Sequence, residues 1–397
     1  MQFLTQLAAM AIALSVVITA DVLKPKVMII SMFAPEADAW HDNFHRSGLG
    51  NLSAVQVSPP GLSPLFPSVY CTATTSVCHA TVGAGEINAA ASATALLLSP
   101  LLDLRSAYLL LGGIAGAHPG RATLGSVALA RYAVQVGLQY EVDPREAPAD
   151  WASGYVALGS DRPGAYPRVV YGTEVYELNA NLRDAAYELA AAATLDDGGG
   201  EEAAALRARY PSGSAAAASP GLLRCDVTTS DVYFVGDALA RAFDRTAAVW
   251  TNGSAAYCMS AQEDNAVLAA LARGAATAAR LVDFSRVVLM RVGANFDRPP
   301  AGTAVGEFLG LQPARDVATR NMYAAGVAVV QGIVGGWEER FAAGVSADNY
   351  IGDILGSLGD GEPDFGTPAT RLGAQRRRRG RGGGEPGPVR TDNTVQA

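Results

Sequence analysis

The chain has 397 residues, 49% of them hydrophobic and 17% charged, with a formal net charge of −8. That length supports one large or two ordinary domains, and this acidity excludes a general attraction to nucleic acid or anionic membrane. Residues 7–20, "LAAMAIALSVVITA", are continuously apolar, end in small residues and precede Lys24 and Lys26. Residues 1–20 therefore read as a secretory signal peptide cleaved near Ala20, with an uncleaved anchor as the alternative. The expected location is secreted or cell-surface associated.

Lys26–Met32, "KVMIISM", reads as a short buried strand. The turn after it, Ala34–Asp38, carries Glu36. His41 and His45 have i, i+4 spacing, but no H-E-x-x-H motif forms, so they read as polar groups near Glu36 and not as metal ligands. Four cysteines suit an oxidising compartment. Of three connectivities, the local pairs Cys71–Cys78 and Cys225–Cys258 are favoured, four reduced thiols being the alternative. Sequons at Asn51 and Asn252 fit a secreted glycoprotein.

"TVGAGEINAAASATALLLS" turns through glycines into an Ala-rich helix. Its "VGAGE" lacks the spacing and acidic partner of a dinucleotide fingerprint. Gly83 and Gly85 are expected to give a tight turn and a close backbone approach to a ligand or anion. Residues 87–104 are too interrupted, by Ser99, Pro100 and Asp103, for a membrane span. "SAYLLLGGIAGAHPG" is a second buried strand ending in the glycine-rich turn Gly112–His118, which contains Gly113 and Ile114. Residues 196–220 are low in complexity, with one short helix expected at Glu201–Tyr210, and read as a poorly ordered surface insertion. "RVVLMRVGANFDRPP" repeats the strand-then-turn pattern and ends in the turn Gly293–Asp297. Residues 360–397, with "RRRRGRGGG", read as a flexible basic tail. Strands running into Gly-rich turns, with helices between, predict an α/β fold with a buried sheet and ligands at the strand ends.

"SAQEDNAVLAALAR", residues 260–273, predicts a helix whose apolar face includes Val267 and Leu271, with Glu263 in line with them. Ser260 and Glu263 have the spacing of a capping box. The competing reading is a buried carboxylate that holds a polar ligand at the helix N-terminus. No G-x-S-x-G elbow occurs, which argues against a Ser-His-Asp enzyme.

Taken together, "KVMIISMFAPEADAW", "TVGAGEINAA", "YLLLGGIAGAHPG", "TTSDVYF", "CMSAQEDNAV" and "VVLMRVGANFDRP" resemble the purine nucleoside permease family over residues 24–357. That family is similar to the nucleoside phosphorylases and nucleosidases. The resemblance implies a single α/β domain with a large mixed central sheet and a purine nucleoside pocket at the strand ends. It implies that Glu36 activates water, Glu263 binds ribose hydroxyls, Tyr233 stacks on the base and Asn295 faces purine N7. Gly113 and Ile114 are expected to line the same pocket. Nucleosidases carry Asp where this chain has Asn295, and an amide has no proton to give a leaving base. That departure favours a 6-oxopurine, or binding without cleavage, with Asp297 as a substitute acid. No cofactor is implied; phosphate enters for a phosphorylase, with Arg131 as its candidate ligand. Hydrolysis is favoured over phosphorolysis. The alternative function is a non-catalytic capture component of nucleoside uptake. A membrane transporter partner and a homo-oligomer are open possibilities; no nucleic-acid partner is expected.

Overall fold

Alternation in the first strand sets the layering. In β1 (Val27–Ser31), Val27 and Ile29 join one apolar cluster with Trp40, while Met28 and Ile30 join another with Ala89 and Leu96. A strand buried on both faces needs helices on both sides. The computed structural model describes residues 21–197, 201–359, 361, 363 and 365. Residues 1–20, read above as a signal peptide, and most of residues 360–397 lie outside them.

After β1 come α1 (Ala34–Asn43), β2 (Val55–Val57), β3 (Val69–Cys71), β4 (Val77–Thr81) and α2 (Glu86–Leu98). The long β5 (Tyr108–Ala117) leads to β6 (Val127–Ala130), β7 (Tyr132–Gln135), the small hairpin β8 (Tyr140–Glu141) and β9 (Tyr155–Val156), and β10 (Val175–Glu177). Then follow α3 (Ala180–Ala190), α4 (Glu201–Arg207), β11 (Leu222–Arg224), β12 (Asp226–Thr229), α5 (Asp237–Trp250), β13 (Tyr257–Ala261) and α6 (Asp264–Ala276). A second long strand, β14 (Val287–Phe296), precedes α7 (Val305–Phe308), α8 (Arg315–Gly335) and β15 (Gly352–Asp353). Thirteen of these strands form one mixed sheet, ordered β15-β10-β7-β12-β13-β5-β1-β4-β3-β2, with β14 bridging β5 and β6 and β11 on β6. The chain is a mixed α/β domain with a large central sheet and helices on both faces, as the sequence predicts. No helix among the described residues is long and apolar enough to cross a membrane.

One irregularity positions the site. β5 pairs in parallel with β1 only as far as Leu111, and on that side β13 takes over, antiparallel, at Gly116. Residues 112–115 therefore have no strand along that edge. Backbone groups buried there need other partners, and the side chains that supply them are described below.

Both favoured disulfides form. Cys71–Cys78 links register partners of the β3/β4 ladder. Cys225–Cys258 ties the residue before β12 to β13. Within the stretch read as a loose insertion, Ala203, Leu206, Tyr210 and Ala216 are buried, and Tyr210 donates to the carbonyl of Arg298 at 2.6 Å. A polyalanine run is low in complexity yet apolar enough to pack.

Candidate functional site

α1 begins at "FAPEADAW", with Pro35 in its first turn, where the missing N–H has no cost. Glu36 follows in the same turn, where the helix dipole favours an acid. Its side chain turns inward and is 1% exposed. Met32 N–H donates to Oε2 and Ile114 N–H donates to Oε1, each at 2.7 Å. Glu36 thus fills half of the gap in the β5 edge. The other half is filled by Arg291 of β14, whose Nη1 donates to the Ile114 carbonyl at 3.0 Å. Gly113 sits between these two side chains. A methyl group on it would lie 2.4 Å from Arg291 Nη1 and 2.7 Å from Glu36 Oε1, so only glycine fits.

Arg291 is 1% exposed and is enclosed by acids. Its Nε donates to both oxygens of Asp264 at 3.1 Å, and its Nη2 donates to Asp264 and, at 3.1 Å, to Glu263 Oε2. Glu263 also accepts from Gly85 N–H at 3.2 Å. Gly85 holds φ +84° at the N-cap of α2, a conformation suited to glycine. The glycine turn therefore does approach an anion, but the anion is the protein's own carboxylate.

The capping-box reading fails. β13 continues through Ser260, whose hydroxyl donates to the Gly116 carbonyl, and Glu263 is itself the N-cap residue of α6, making no side-chain cap. The helix starts at Asp264, three residues too late for Ser260 to cap it. Each polar residue of "QEDN" has a separate task, Gln262 donating to the Asp231 carbonyl at 2.9 Å. Glu263 reaches the cleft and Asp264 holds Arg291. Asn265 Nδ2 donates to the Thr173 carbonyl at 2.8 Å, and its Oδ1 accepts from Thr229.

One buried cation thus faces three acids: Glu36, Glu263 and Asp264. Burial raises the Glu36 pKa to about 7, outweighing the attraction of Arg291 and the backbone donor of Met32; the nearby Glu263 raises it further. Beside the cluster, burial lifts Glu86 to about 6, helped by Asp231 and opposed by its Gln135 donor.

Glu36, Arg291 and Glu263 wall one end of a cleft with an empty volume of about 760 Å³, part of it open to solvent. Glu36, Ile114, Glu263, Tyr233 and Asn295 all line it, with Gly113 directly beneath Glu36 and Arg291. At the opposite end Tyr233 is 41% exposed, and its hydroxyl accepts from Asn295 Nδ2 at 2.8 Å. Two expectations are corrected. Asp297 does not line the cleft; it accepts from Tyr257 at 2.7 Å and pairs with Arg298 at 2.8 Å, so it is not placed to protonate a base. Arg131 also lies off the cleft, paired with Glu177 and set over the Tyr132 ring. His41 faces His79 at 3.2 Å and His45 sits in an exposed turn; no metal-binding cluster occurs among the described residues.

The sequence reading missed Arg291 and Asp264. The available signal was an arginine inside the otherwise apolar run "VVLMRVGANF", which a strand buried on every residue tolerates only with a partner.

The family model described as "Purine nucleoside permease (NUP)" matches residues 24–346. The chain is 42% identical over 355 residues to the purine nucleoside permease of Candida albicans, covering 87% of this chain and 84% of that one. It is 38% identical over 327 residues to a probable purine nucleoside permease of Schizosaccharomyces pombe, covering 80% and 91%. Among solved structures, a 5'-methylthioadenosine/S-adenosylhomocysteine nucleosidase from Neisseria meningitidis aligns with TM-score 0.44 and 14% identity over 78% of this chain and 100% of that one. A Streptococcus pneumoniae MTA/SAH nucleosidase aligns with TM-score 0.43 and 14% identity, over 77% and 99%.

Proposed function

The chain belongs to the purine nucleoside permease family, and from that premise we propose that it captures a purine nucleoside in this cleft and cleaves the N-glycosidic bond with water. The observation that carries this reading is the closed Glu36–Arg291–Glu263–Asp264 cluster. Arg291 is the one cation lining the cleft among the described residues, and two acidic neighbours and a carbonyl already engage it. Binding of a phosphate nucleophile needs free cationic or amide donors. A net-acidic wall repels phosphate and suits a neutral nucleophile.

The roles follow from geometry. Glu263, buried and fixed on Gly85 and Arg291, keeps lone pairs for the ribose hydroxyls and for the positive charge that grows on the sugar as the bond breaks. Glu36 has a pKa of about 7, within reach of neutral pH, and each oxygen retains a lone pair beyond its backbone donor. It acts as general base to the attacking water, while the purine leaves as an anion and takes up a proton from solvent. Tyr233 offers its ring to the purine face. Asn295 has no proton to release. This favours a second reading, a capture protein that binds without cleaving and passes the nucleoside to a membrane partner. In either case the mature chain is a secreted or surface protein starting near Asp21.

The deciding experiment incubates the full mature chain with adenosine, inosine and guanosine, with and without phosphate, and measures free base and free ribose. Base release independent of phosphate supports hydrolysis. Strict phosphate dependence overturns it, and tight binding without release assigns the capture role.

A further inference from the structure

The hydrogen bonds at the base end fix which atom of Asn295 the ligand meets. Both amide hydrogens are committed: Nδ2 donates to Tyr233 Oη at 2.8 Å and to the Phe296 carbonyl at 3.2 Å. Turning the amide over would set Oδ1 against that carbonyl, two acceptors facing each other, so Phe296 selects the orientation. Oδ1 has no hydrogen-bond partner among the described residues, on a side chain that lines the cleft and is 6% exposed. An acceptor that opens to the cleft loses its water when a ligand enters and then demands a donor from that ligand.

We infer that Asn295, oriented by the Tyr233 hydroxyl and the Phe296 carbonyl, presents a lone acceptor to the base and selects 6-aminopurine nucleosides over 6-oxopurine nucleosides. An exocyclic amine at C6 donates to Oδ1. A 6-oxo group presents a second acceptor and leaves both unsatisfied. This reverses the 6-oxopurine preference read from Asn295 in the sequence, because the amide hydrogens that a 6-oxo group would need are both occupied. Tyr233 has two parts in this: its ring faces the base, and its hydroxyl is a positioning group that acts through Asn295. The inference rests on the cleft being a nucleoside pocket, as proposed above.

The test uses the full mature chain with adenosine, inosine and unsubstituted purine riboside, comparing kcat/KM where turnover occurs and Kd where it does not. Adenosine should exceed purine riboside by about tenfold, the value of one hydrogen bond, and inosine should be weaker still. Tyr233→Phe keeps the ring but frees one Nδ2 hydrogen, which can then donate to a 6-oxo group. In that variant the adenosine-to-inosine ratio should shrink to within about threefold, mainly through a gain for inosine. If the unaltered chain uses both nucleosides and inosine equals or betters adenosine, the inference is overturned while the nucleoside pocket stands. An unchanged ratio in Tyr233→Phe also overturns it. If no nucleoside of the three is bound or cleaved, the proposed function falls and the inference falls with it.

Discussion

The two ends of the cleft are built on opposite principles. At the end proposed for the sugar every group is buried and held by several others: Glu36 by two backbone donors, Arg291 by two acids and a carbonyl, Glu263 by Gly85 and Arg291. At the end proposed for the base Tyr233 is 41% exposed and its neighbour Val232 is 62% exposed. The difference separates what must be invariant in the chemistry from what can vary with the ligand. Ribose and the charge that develops on it are common to all nucleosides, so that end can be rigid. Base identity is then set by a few hydrogen bonds that a single side chain can redirect.

If this contrast is right, substitutions at the sugar end cost stability as well as binding, and those at the base end change selectivity alone. The largest effect is expected for Arg291→Met, which leaves Asp264, Glu263 and Glu36 buried without their cation. Chemical denaturation should show a loss of about 3–5 kcal/mol; a variant within 1 kcal/mol of wild type would show that the acids relax into solvent.

Glu263→Gln comes next. Arg291 keeps Asp264, so the fold should lose about 1–2 kcal/mol, more than a cap substitution would cost, because Glu263 is not a cap. Nucleoside affinity should fall about 10- to 150-fold as a charge-assisted bond weakens. Unchanged affinity by titration calorimetry would remove Glu263 from the binding site.

Gly113→Ala tests the crowding directly. A methyl between Glu36 and Arg291 should destabilise by about 1–3 kcal/mol, and a full-strength protein with native activity would mean that this wall is softer than its geometry implies.

pH separates the ends more gently. The folded pKa of Glu36 is raised from 4.5 to about 7, so the folded chain holds a proton that the unfolded chain has lost. Between these values stability falls as pH rises, and Glu36→Gln should flatten that part of a melting-temperature profile. In the proposed mechanism the active form is the carboxylate, so kcat/KM should rise through about pH 7; a profile flat from pH 5 to pH 8 would exclude Glu36 as base. The smallest stability effect belongs to Tyr233→Phe at the exposed end, within about 0.5 kcal/mol of wild type.

How much of this could be read in advance follows the same division. The strands "KVMIISM" and "SAYLLLGG", the α/β class and both disulfides depend on local pattern and short separations, which a sequence displays. Glu36, Tyr233 and Glu263 could be named because each lies in a distinctive stretch just past a strand; Asn295 could be named too, although the turns read at Gly112–His118 and Gly293–Asp297 are instead the ends of the long strands β5 and β14. What stayed hidden was their wiring. Nothing local says that Gly85 donates to Glu263, or that Arg291 closes on Asp264, since those contacts depend on β5 changing partners between Leu111 and Gly116. Ser260 misled for a related reason. Its spacing from Glu263 fits a cap, yet whether a strand continues through it is decided by pairing with Gly116, a residue far away in the chain.

The position of Arg291 along the chain has a consequence for synthesis. Glu36 leaves the ribosome ~250 residues before Arg291, a wait of roughly 10–50 s at ordinary elongation rates, and Glu263 and Asp264 also precede it. Until β14 arrives, one edge of β5 is bare and the acids have no counter-charge to draw them inward. The nascent protein must keep that seam open and hydrated, and its last central strand carries the counter-ion that lets the acids dehydrate. A chain released before residue 287 should therefore hold its early strands but never a dry site, leaving an exposed β5 edge for chaperones or aggregation to find.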